Sequence, residues 1–204
     1  MTLKRCLPMI LSLLILTGCS VGGPTAEEQA LALREIWLNM EQFQAAADIT
    51  ADYGDRAYQY QVTCSGNAEA GELMVVSPES IAGTGTAWEE GETLLEYDGV
   101  SLETGNLSPD GLSPADALPV ILAACQSGAI SETGLEEWNE DQQALYLLTE
   151  NPKTNAEESR IAIWADPVSG NLYQAEIYWA GERVIHITFT DFSMELTPAE
   201  EAES

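Results

Sequence analysis

Positive charge is what this chain has least of. Seven Lys and Arg stand against 34 Asp and Glu, with one histidine, giving a formal charge of −27 over 204 residues. So acidic a body is repelled by nucleic-acid phosphates and by anionic lipid headgroups, which excludes nucleic-acid binding. With His186 as its one histidine the chain has no His-Glu-x-x-His zinc site, and no Gly-x-Ser-x-Gly elbow supplies a nucleophilic serine. Cys-x-x-Cys pairs, EF-hand loops and Gly-rich phosphate loops are also missing; Gly83-Thr84-Gly85 sits inside a strand pattern with no helix after it. Together these absences point to a non-catalytic protein without cofactor or metal. Glu136, Glu137, Glu140 and Asp141 gather near a hairpin and read as a solvated turn in preference to a weak cation site. Long apolar runs are scarce too. The one at the N-terminus, Leu7 to Leu16, is broken by Pro8 and Ser12 and is too short for a comfortable membrane span.

That run has the form of a signal h-region. Lys4 and Arg5 precede it, and Leu16-Thr17-Gly18-Cys19 follows, the pattern at which bacterial lipoprotein precursors are lipidated and cut. Residues 1–18 therefore read as a signal peptide, and Cys19 as the lipidated first residue of the mature chain. Residues 19–25 read as the lipidated cysteine and a short tether. Diacylglycerol on the Cys19 sulfur, usually with a third acyl chain on its amine, would anchor the chain at the extracytoplasmic face of the cell membrane. Each buried methylene contributes ~0.8 kcal/mol, and two chains suffice for stable anchoring. Cys6 leaves with the signal. The mature body keeps Arg34, Arg56, Lys153, Arg160 and Arg183 as its only Lys and Arg.

Thr25 and Glu28 form a Thr-x-x-Glu capping box directly after the tether. Leu33, Ile36, Met40, Phe43 and Ala47 then recur at steps of three and four, so residues 26–48 are expected to form one amphipathic helix. From Arg56 the apolar period changes to two. Strands are expected over 57–65, 72–77, 81–88, 93–97 and 100–104, with turns at Gly66-Asn67, Glu89-Glu90-Gly91 and Asp98-Gly99. Residues 105–113 are turn-rich. Ser113 before Pro114, with Asp116 three residues on, starts a second helix that runs to Gln126 and stops at Gly128. Strands return over 135–139, 143–149, 159–165, 172–179 and 183–192, with a turn at Asn151–Asn155. Residues 26–196 thus form a single domain, and 197–204 an acidic, disordered tail. The fold class is α+β: a curled antiparallel sheet, an unclosed half-barrel of about ten strands. An N-terminal helix and a central helix lie on its concave face.

Cys64 alternates with Tyr58, Tyr60 and Val62 on a strand; Cys125 follows Leu118, Ile121 and Leu122 on a helix. Both thiols aim at the core. A Cys64–Cys125 disulfide, worth roughly 4 kcal/mol on the chain-entropy model, and two buried free thiols both fit. Tyr58, Tyr60, Trp88, Tyr97, Tyr146, Trp164, Tyr173 and Trp179 all fall in expected strands. They would line an apolar pocket if the sheet curls, or fill a core.

Three short motifs carry a family resemblance: Gly71-x-Leu73-x-Val75-x-x-Pro78, Leu94-x-x-x-Asp98-Gly99-x-x-Leu102, and Ile187-Thr188-Phe189-Thr190-Asp191-Phe192. With the order of elements, they resemble the LolA/LolB-like lipoprotein-carrier fold over residues 26–195. The resemblance implies a hydrophobic cavity between sheet and helices, used in some members to hold acyl chains. Other members are anchored lipoproteins that bind a partner protein, including some that resemble spore-germination regulators. Ser77 stands where the periplasmic carriers place a basic residue before the proline, and Cys19 anchors this chain. Both departures favour local binding over shuttling.

Two functions follow as expectations. In the first, a lipid or other hydrophobic ligand is held in a sheet–helix cavity lined by Tyr58, Tyr60, Val62, Leu118, Ile121, Leu122, Ile163, Ile177, Trp179 and Ile187. In the second, the chain docks or regulates an envelope enzyme through its acidic surface or a sheet edge.

Overall fold

The computed structural model describes residues 23–89, 92–97, 100–103, 112–152 and 158–198. The signal, Cys19 and most of the tether lie outside these residues. So do most of the 105–113 turn region, the centres of the Glu89-Glu90-Gly91, Asp98-Gly99 and Asn151–Asn155 turns, and most of the tail.

The first element, α1, runs Ala26–Leu38. It starts where the capping box places it: the Thr25 hydroxyl accepts from the Glu28 amide at 3.2 Å, and the Glu28 carboxylate accepts from the Thr25 amide at 2.8 Å. It ends ten residues earlier than the spacing suggests. Asn39 closes it, its side-chain amide donating to the Glu35 carbonyl at 2.8 Å, and Met40–Asp52 forms strand β1. The expected helix over 26–48 is thus half helix and half strand. Met40, Phe43 and Ala47 satisfy a helical step, but Phe43, Ala45, Ala47, Ile49 and Ala51 are the residues buried, and they alternate. Alanine-rich sequence favours helix only weakly, and a place at the centre of the sheet overrides that preference.

The remaining strands are β2 (Ala57–Gly66), β3 (Ala70–Ser77), β4 (Gly85–Glu89), β5 (Glu92–Tyr97) and β6 (Val100–Glu103), then β7 (Ile130–Asn139), β8 (Gln142–Glu150), β9 (Ser159–Ala165), β10 (Leu172–Trp179) and β11 (Glu182–Leu196). Residues 81–84, expected to begin β4, instead close a 3-10 turn over Glu79–Ile81 and lead into the strand. The second helix, α2, is Pro114–Ser127, capped by Ser113. Among the described residues eleven strands form one antiparallel sheet in the order β6-β5-β4-β3-β2-β1-β11-β10-β9-β8-β7. The first and last strands therefore meet at the middle, through the β1–β11 pair, and the sheet is not closed. The strand beyond the expected ten is β1. None of the described helices is long and apolar enough to cross a membrane.

Register sorts the side chains onto two faces. Leu147, Ile163, Ala175, Ile187, Ile49 and Tyr60 stand opposite one another across six consecutive strands. They join Leu118, Ile121 and Leu122 of α2 and Leu33 and Trp37 of α1 in one apolar core. Two polar contacts lock the helices in place. The Trp37 indole N–H donates to the Gly170 carbonyl at 2.9 Å, and the Gln126 amide donates to the Trp37 carbonyl at 2.9 Å. Gly170 has φ +74°, and a Cβ there would lie 3.2 Å from the Trp37 indole nitrogen, so the position requires glycine.

Candidate functional site

On the helix-covered side the structure gathers seven of the ten expected lining residues. Val62, Leu118, Ile121, Leu122, Ile163, Ile177 and Ile187 are each at most 3% exposed and belong to the continuous core. Tyr60 packs on that cluster, Trp179 is half-buried, and Tyr58 is 41% exposed beside Tyr53. Cys64 and Cys125 are buried free thiols. Burial pushes both up to about 12, so neither is a nucleophile at neutral pH.

The other face of the same strands is open. Tyr146, Trp164, Gln174, Thr188, Asp48 and Gln61 form one cross-strand row; Leu148, Ala162, Glu176, His186, Thr50 and Gln59 form the next. Across β7–β10 these rows line a groove of about 730 Å3, with Glu136, Tyr146, Arg160, Trp164, Glu176 and Tyr178 along it. The Tyr146 and Trp164 rings lie 5.1 Å apart, and the Trp164 indole donates to the Glu136 carboxylate at 2.8 Å.

At one end of the groove Glu176 is only 5% exposed. A buried carboxylate requires partners, and this one collects four. Oε2 accepts from the Tyr178 hydroxyl; Oε1 accepts from Arg183 Nη1 at 2.6 Å and the Gln174 amide at 3.4 Å, and meets His186 Nδ1 at 2.9 Å. Gln174 and Tyr178 sit two residues away on the same strand, and His186 is directly opposite on β11. Arg183 arrives by a shift of register between Ile177 and Tyr178 that sets it opposite Tyr178. Burial alone would raise the Glu176 carboxyl. The bonds from Tyr178, Arg183 and His186 and the charge of Arg183 outweigh it and hold the group below its ordinary value. Burial, the bond to Glu176 and its charge push Tyr178 up to about 12. Burial raises Tyr146 as well, and the charges of Glu132, Glu136 and Glu176 add to the effect.

His186 is therefore a part-buried strand residue tied to a carboxylate, on the face opposite Ile185 and Ile187. No sequence motif marks Glu176, Tyr178 or Arg183. Their signal was the polar phase of β10 and β11, interleaved with the isoleucines. Among the described residues no group of three or more His, Cys, Asp or Glu is arranged to hold a metal.

No family model matches the sequence, nor does any curated protein. Solved structures similar to the chain include a LolA superfamily protein from Nitrosomonas europaea, at 14% identity and TM-score 0.44, covering 86% of this chain and 96% of that one. Another is a putative outer membrane lipoprotein-sorting protein domain from Vibrio parahaemolyticus, at 12% identity and TM-score 0.45, covering 87% and 96%. A third is a chain in the complex of the CwlD amidase with the GerS lipoprotein from Clostridioides difficile, at 18% identity and TM-score 0.40, covering 85% and 98%.

Proposed function

We propose that this chain is a lipid-anchored, non-catalytic envelope protein that docks a basic protein partner on the open face of β7–β10. The observation carrying this reading is the contrast between the two faces. Seven of the ten residues expected to line an internal cavity are packed on one another, whereas an aromatic and acidic groove stands open on the opposite side. Tyr and Trp beside carboxylates suit lysine and arginine side chains, through ion pairing and contact of the cation with the ring face. The formal charge of −27 steers such a partner toward the chain. The signal pattern ending at Cys19 would fix the encounter at the membrane. To test this, a photo-crosslinking side chain replaces Tyr146 in one version of the anchored protein in cells and exposed Leu38 of α1 in another. The reading expects a discrete adduct at position 146 that is lost in high salt. Equal adducts at both positions, or none, would overturn it.

A second reading, a hydrophobic ligand between sheet and α2, is favoured by the gathering of seven expected residues into one apolar cluster. Binding there would require α2 to move. Native mass spectrometry of protein purified from cells decides this reading: a retained lipid supports it, and its absence together with failure to bind a fluorescent fatty acid removes it.

A further inference from the structure

Among the described residues the sheet ends at β7, which pairs with β8 alone. Its register shifts lie between Ile130 and Glu132 and between Glu137 and Asn139, leaving 132–137 as a regular edge of unpaired backbone donors and acceptors. This edge carries neither Lys nor Pro, which commonly block strand addition. It also divides two grooves. Register puts Glu132, Gly134 and Glu136 on the open face, where Glu136 lines the groove with Tyr146 and Trp164. Thr133 and Leu135 lie on the helix-covered face. There a second groove of about 230 Å3 runs between α1 and β7, lined by Ala30, Leu31, Ile130 and Thr133 together with the acidic Glu27 and Glu132. Leu31 is 60% and Leu135 41% exposed. The interior glycine opposite Tyr146 is of the kind that marks close approach by another backbone.

We propose, resting on the docking reading above, that an extended basic segment of the partner adds as a further strand along Glu132–Glu137, its alternate side chains entering the two grooves. A strand set ~4.8 Å beyond β7 sends successive side chains to opposite faces. One set, of Lys or Arg, meets Glu132 and Glu136 and the Tyr146 ring; the other, apolar, covers Leu31 and Leu135. The recognised motif is therefore alternating basic and apolar residues. A second copy of this chain is a poor occupant, because it would bring equally acidic edges together at a charge of −27 each.

The test uses two labelled eight-residue peptides with the full chain: Lys alternating with Val, and an isomer with four Lys followed by four Val. Fluorescence anisotropy should show the alternating peptide binding at least about tenfold more tightly, a gap that backbone pairing and register can supply. N-methylation of one alternate set of its backbone amides should abolish binding; methylation of the other set should leave it. Amide resonances of 132–137 should shift while those of α2 do not. Equal binding of the isomers, or equal effects of both methylated sets, overturns strand addition, as does dimerisation of the chain through this edge. If the isomers bind equally and Glu132→Gln with Glu136→Gln weakens both, docking stands and strand addition falls. If neither peptide binds and the cellular crosslinks also fail, both fall together.

Discussion

Strand β9 places two chemistries on alternate residues. Ile161 and Ile163 face the helices and are fully buried, while Arg160, Ala162 and Trp164 line the groove on the other face. The same division continues through β10, where Ala175 and Ile177 oppose Gln174, Glu176 and Tyr178. One face is specified by volume and apolarity, the other by hydrogen bonds and charge. The two faces should therefore fail under different perturbations.

The largest effect is expected on the covered face. Ile163→Ala leaves a cavity in the core and should cost about 2–5 kcal/mol in urea denaturation. Trp164→Ala, one residue on, should cost only about 1 kcal/mol through the lost Tyr146 ring pair, while removing crosslinking at the groove. Comparable losses for the two would break the distinction between the faces.

Glu176→Gln tests the polar side and should cost about 1–3 kcal/mol, because a buried carboxylate network loses its charge. pH sharpens this. The carboxyls of Glu176 and Asp166 are held below their ordinary values of 4.5 and 3.8. In Asp166, burial opposes the bonds from the Ser169 and Val168 amides and the Tyr173 and Ser169 hydroxyls, and the bonds prevail. Depressed carboxyls stabilise the fold above their unfolded values, and that contribution disappears as pH falls through the folded ones. Stability should thus decline below about pH 4.5, and Glu176→Gln should flatten part of the decline. Tyr173 and Tyr178 run the other way. Both are raised from 10.0 to about 12, so their contribution is complete below pH 10 and lost between 10 and 12. Thermal melts across both ranges check these signs.

Smaller effects are expected away from the faces. Thr25→Ala removes the capping box and should cost about 1 kcal/mol. Gly134→Ala should be neutral or stabilising by up to about 1 kcal/mol, because the new methyl would meet only the Tyr146 ring, at 4.0 Å. A loss of stability there would show that the edge needs glycine for its own backbone.

Local chemistry made much of the fold legible in the sequence. Thr25 with Glu28 and Ser113 with Pro114 announce helix starts through side-chain and φ preferences that act over three residues. Strands β9–β11 announce themselves by alternation. The strand β1 was hidden because Phe43 and Ala47, four residues apart, satisfy both periods, and only the neighbours β2 and β11 decide between them. Glu176 was hidden for a different reason. Its partners come from its own strand and from β11, and the displacement that brings Arg183 into reach exists only once the strands are paired. The sheet–helix cluster was legible residue by residue; which face would stand open was not, because that depends on where two helices settle.

The register shift at Ile177/Tyr178 has a consequence for how such a protein can change over generations. Side chains that hold the domain together and side chains that meet the outside occupy alternate letters of the same strands. Substitutions at the exposed outer letters, unlike those at buried Glu176, can therefore change that surface at little cost to folding. Insertions in these strands are another matter, because one added residue would exchange the two alphabets. The shift at Ile177/Tyr178 stands near the hairpin, where only the last few residues are re-aimed, and the guanidinium of Arg183 gained its place by that local change of frame.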